Sequence, residues 1–193
     1  MDLKTYQQGL ARLIMGGEPN ADDPAYLQRL VGTAGLNTLR EVVAFRCGYD
    51  LERFCFYTVN WLRRLGRFED DIAHLVRLGS FSTYLEEAGL QFLQMLAVDR
   101  DPVVAAMARF EIALHEIRVD SRKVRIVDWP CDPRPLIASL VDCSKGPPLS
   151  PAGRYRMTVS RGLPGGFHCE RLPASPSREG VSPSALFRNR RSE

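Results

Sequence analysis

The feature that most constrains this chain is a change of period. From Asp101 to Arg118, Val103, Met107, Phe110, Leu114 and Ile117 recur at three- and four-residue spacing, which marks a helix with one face against a core. Asp101 suits the N-cap, and Pro102 fills the first helical position, where a missing N–H costs nothing. From Arg122 to Trp129 the pattern then alternates, with Arg122, Val124, Ile126 and Asp128 against Lys123, Arg125, Val127 and Trp129, as a strand does. A helix followed so closely by a strand predicts an α+β fold. The Val103–Ile117 stripe is expected to pack into a helical bundle and to fix a small sheet against it.

The residues before this junction read as helices. Leu3, Tyr6, Leu10, Leu13 and Ile14 form one apolar side, stopped by Gly16-Gly17. A second helical stretch opens at Pro24, is expected to break near Gly32–Gly35, and should end at Gly48. Asp50 is expected to cap a third, apolar nearly all round from Leu51 to Leu65. Arg63, Arg64 and Arg67 lie near its end, where the macrodipole favours cations. Glu69–Leu78 and a helix capped at Ser80 follow. About six helices are thus predicted for residues 1–120, joined by short loops.

Residues 121–172 are predicted to form a small antiparallel sheet. Arg154–Arg161 alternates Tyr155, Met157 and Val159 with Arg154, Arg156, Thr158 and Ser160, Gly162–Gly166 supplies a turn, and Phe167–Leu172 returns as the hairpin partner. Leu136–Val141 fits a strand or a helix equally. From Pro173 the composition falls to Ser, Pro, Arg and Gly, so residues 173–193 are expected to be a disordered basic tail, with Ala185-Leu-Phe187 as an exception.

Charge divides the chain in the same way. Residues 1–120 carry 13 Lys/Arg against 17 Asp/Glu and residues 121–193 carry 13 against 6, so the carboxy-terminal part is the basic one and suits an acidic peptide, an acidic protein face or nucleic acid. No apolar run reaches the roughly 20 residues that span a bilayer, and MDLKTYQQGL lacks the layout of a secretion signal, so a cytoplasmic protein without membrane contact is expected. The five cysteines are scattered and without zinc-type spacing. No phosphate-binding loop, nucleophile elbow or zinc-protease motif is present. The one local candidate for a metal site is Glu111 with His115 and Glu116, for which a salt-bridged or hydrogen-bonded surface pair is the preferred reading. The face carrying Glu111, His115 and Arg118 is read as a structural or partner-facing surface.

FCFYTVNWLRR, then LEEAGLQFLQMLAVDRDPVVAAMARFEIALHEI, then RYRMTVSRGLPGGFHCERL resembles the small partner proteins of multinuclear non-haem iron oxidative enzymes. These serve in making ribosomal peptide natural products of the methanobactin and thiaglutamate type. The resemblance covers Tyr49–Leu172 and implies a non-catalytic subunit that carries no cofactor of its own, the iron belonging to the partner enzyme. Such a subunit binds the leader of a precursor peptide through its sheet and presents a cysteine-containing core to that enzyme. Onto this we map leader capture by strand addition, along Arg154, Tyr155, Arg156, Met157, Thr158, Val159 and Ser160 or along Phe167, His168, Glu170 and Arg171. Glu111, His115, Arg118, Arg122 and Trp129 are mapped to the enzyme interface. Related proteins are also described as DNA-binding domains, so the alternative is a DNA-binding or regulatory role for the basic part.

Overall fold

A computed structural model describes residues 3–78, 82, 84–142 and 151–173. The expected cap at Ser80, the segment 143–150 and the tail from residue 174 lie outside them. Helices α1 (Leu3–Ile14), α2 (Ala25–Leu30), α3 (Ala34–Phe54), α4 (Phe56–Arg64), α5 (Phe68–Arg77), α6 (Leu85–Leu96) and α7 (Pro102–Val119) come first. Strand β1 (Arg125–Cys131), helix α8 (Pro133–Val141) and strands β2 (Ala152–Val159) and β3 (Phe167–Arg171) complete an α+β arrangement of amino-terminal helices and a small antiparallel sheet.

One helix boundary departs from expectation, for a physical reason. Gly48 does not end α3; it is buried inside it, and a Cβ there would sit 3.1 Å from Ile72 Cδ1, so the glycine lets α5 approach closely. The break comes instead at Cys55, whose φ of −112° and ψ of 53° leave the helical region. The stretch left open at Leu136–Val141 is α8, opened by Asp132, which accepts 3.1 Å from the Arg134 N–H, with Pro133 at the first position. This is the Asp-Pro start that also opens α7, where Asp101 accepts from Val103 N–H at 2.8 Å.

Helix α7 lies between two cores. Val104 and Ala108 join the bundle core with Leu51, Val59, Leu62 and Phe92. Met107, Phe110 and Ile117, with Val103 and Leu114 beside them, pack on Val127, Trp129, Met157, Val159 and Leu140. The apolar stripe therefore faces the sheet and α8, not the bundle. Small residues, Ala105, Ala106, Ala108 and Ala113, are what allow burial on both sides.

The sheet order is β1-β2-β3, with β2 in the middle. Inward rows are Val127, Met157 and Cys169, and Trp129, Tyr155 and Arg171; outward rows are Ile126, Thr158 and His168, and Asp128, Arg156 and Glu170. The arginines at the end of α4 act as ties. Arg64 donates to Ser139 Oγ of α8 at 2.8 Å, Arg63 pairs with Glu52, and Arg67 reaches Asp99 at 2.7 Å.

Candidate functional site

The residues expected to bind peptide do not form one surface. Tyr155, Met157 and Val159 are buried in the core beneath the sheet and cannot meet a ligand. Arg154, Arg156, Thr158 and Ser160 project to the other face, which is of mixed sign: Arg156 pairs with Asp128 at 3.0 Å, and Glu170 lies opposite it on β3. More decisively, β2 is paired on both sides, so no peptide strand can add to Arg154–Ser160. Of the two segments considered, only Phe167–Arg171 lies at an edge.

Alternation of the ladder identifies which backbone groups that edge offers. Ser160 N–H donates to Gly166 O and Leu172 N–H to Arg154 O. In an antiparallel pair bonded positions alternate, so His168 and Glu170 turn their N–H and C=O to β2, while Phe167, Cys169 and Arg171 turn theirs outward. Among the described residues no strand covers that side. The opposite edge is poorer. On β1, Ile126 and Asp128 point outward by the same rule, and Pro130, which has no N–H to offer, sits where the register shifts between Trp129 and Cys131. The β3 edge is held firmly, since the Phe167 ring packs edge-on against Phe110 with centroids 5.8 Å apart.

The residues expected at the enzyme interface are likewise divided. Trp129 is 2% exposed and packs edge-on to Phe110 at 6.2 Å, so it belongs to the core. Arg122 is exposed and contacts Asp120 at 3.5 Å. Glu111, 6% exposed, is not surface either: its two carboxylate oxygens accept the backbone N–H groups of Tyr57 at 2.8 Å and Thr58 at 2.9 Å. These are otherwise orphaned donors in the first turn of α4, which has no side-chain cap of its own. Glu111 is thus a cap supplied from another helix.

That cap is costly when charged. Burial pushes the Glu111 carboxyl up to about 7 from 4.5, although the Tyr57 and Thr58 N–H groups pull the other way. By that shift the ionised form is disfavoured by about 3 kcal/mol relative to water, so desolvation outweighs the hydrogen bonds. Burial raises the Cys55 thiol behind it too, helped by the Glu111 charge.

Glu111, His115 and Arg118 do come together. With Arg53, Phe54 and Tyr57 they border a cleft of about 150 Å³ where α3 gives way to α4. The His115 ring lies 5.2 Å from that of Phe54. Sequence reasoning missed Arg53, Phe54 and Tyr57, because no local pattern tells that the α3–α4 break faces α7. No family model matches the chain, and no curated protein or solved structure is significantly similar to it.

Proposed function

We propose that this chain is a non-catalytic subunit that holds the leader of a ribosomally made precursor peptide as an added strand on β3. It thereby presents a cysteine-containing core to a multinuclear non-haem iron oxidative enzyme, to which the iron ligands belong. The observation that carries the reading is the outward row of N–H and C=O groups at Phe167, Cys169 and Arg171. Such an edge accepts an extended peptide through main-chain hydrogen bonds, and the neighbouring side chains give selectivity. Exposed Arg171 at the edge offers an acidic leader residue a partner, and exposed Glu170 beside it selects against a second acidic residue there.

The test uses the leader of a precursor encoded beside this chain's gene, fluorescently labelled. Cys169→Pro removes an outward donor without touching the β2 ladder, and is expected to weaken binding about tenfold, as loss of a hydrogen bond worth about 1.4 kcal/mol would. Equal affinity for the variant and the parent would rule out pairing at this strand. The second half of the reading requires that the chain and the neighbouring iron enzyme co-purify when expressed together; separate elution removes it.

A further inference from the structure

We infer that the cleft at the α3–α4 break is a carboxylate-binding site, in which the guanidinium groups of Arg53 and Arg118 take the anion beside His115. This does not rest on strand capture by β3, and concerns a different part of the molecule.

The argument begins with charge. Arg12, Arg46, Arg63, Arg67, Arg125, Arg134 and Arg156 each pair with a carboxylate within the chain. Arg53 and Arg118 border the same small cleft, and neither has a carboxylate partner among the described residues. The carboxylate that might have neutralised them is Glu111, on the same cleft wall, but both of its oxygens are committed to the α4 backbone. Two exposed arginines consequently border the cleft without a carboxylate acceptor among the described residues. The Arg53 guanidinium carbon lies 5.9 Å from the Tyr49 ring.

Size and surroundings choose among anions. A cleft of about 150 Å³ has room for several water molecules. That admits a carboxylate on a short alkyl stem. Guanidinium forks suit carboxylate and phosphate alike. Above about pH 7, where Glu111 is ionised, it discriminates between them, because a second charge on phosphate would meet its carboxylate across the same cleft wall. Phe54, Tyr57 and Leu114 wall the cleft, and Arg53 and Arg118 are exposed at it. The carboxylate could be that of an acidic side chain or of a chain terminus.

The full chain, followed by NMR at the His115 ring and the arginine Nε–H signals, provides the test. Four probes are titrated: N-acetylglutamate N-methylamide, N-acetylalanine, the neutral N-acetylglutamine N-methylamide, and inorganic phosphate. The carboxylate probes should saturate with millimolar dissociation constants, the neutral amide should leave the signals unmoved, and phosphate should bind more weakly. A preference for the first probe identifies an acidic side chain as the source, and a preference for the second a chain terminus. Arg53→Gln with Arg118→Gln should abolish the shifts, whereas Arg118→Lys, which keeps the charge and loses the fork, should weaken binding severalfold. Equal shifts from the neutral amide, tighter binding of phosphate, or saturation unchanged in the double variant would overturn the assignment.

Discussion

The helical bundle and the sheet layer share α7 but treat their main chain differently. In the bundle the N–H and C=O groups of each helix interior are used within that helix, and the first-turn donors of α4 at Tyr57 and Thr58 are met by Glu111 from across the core. Such a region can recognise a partner only through side chains. Among the described residues, the sheet layer keeps a row of backbone groups unused along β3. It can therefore recognise an extended chain by its backbone, which any peptide offers, and leave selectivity to the flanking residues. α7 joins the two by burying Val104 and Ala108 on one side and Met107 and Phe110 on the other.

The largest expected effect tests that joint. Phe110 is 1% exposed and touches Tyr57, Trp129 and Phe167, so it carries contacts from α4 to the β3 edge. Phe110→Ala should cost about 3–5 kcal/mol in a urea melt. A single lowered transition is expected; separate transitions for helix and sheet signals would show that the two regions are not one cooperative unit.

Next comes the buried cap. The Glu111 carboxyl is raised in the folded protein to about 7 from the ordinary 4.5, so between those values the folded state binds the extra proton. The stability it confers is complete below pH 4.5 and lost as pH rises through 7. Its contribution should therefore fall by about 3 kcal/mol from pH 4.5 to pH 8. Glu111→Gln should be flatter over that window by the same amount. Parallel pH profiles of variant and parent would mean that Glu111 is charged throughout.

Smaller in stability, but sharper for the comparison, is a pair of prolines. Thr158 lies in the middle strand at a position bonded toward β3, so Thr158→Pro breaks the ladder and should unfold the sheet. Cys169→Pro removes only an outward donor and should cost about 1 kcal/mol or less by thermal melt. If the two variants melted alike, the assignment of inward and outward groups on β3 would be wrong.

How much of this could be read from the residues varies by the range of the signal. Asp101-Pro102 and the stripe to Ile117 announced α7 because cap and period are local. Asp132-Pro133 carries the same start signal, but a nine-residue helix is too short for period alone to separate it from a strand. Gly48 reads as a stop because a glycine's local cost is visible and its contact with Ile72 is not. The α4 cap spans 54 residues between Tyr57 and Glu111, beyond any local pattern, and with it goes the cleft. Alternation in Arg154–Ser160 correctly separated the faces of β2. It could not tell a middle strand from an edge, because that depends on strand order.

The most direct test of strand capture is residue-resolved amide hydrogen exchange with and without the leader peptide. Phe167, Cys169 and Arg171 should gain protection on binding, in alternation with His168 and Glu170, which the β2 ladder already protects. Protection gained instead at Ile126 and Asp128 on β1, or at no outward amide of the sheet, would contradict the account.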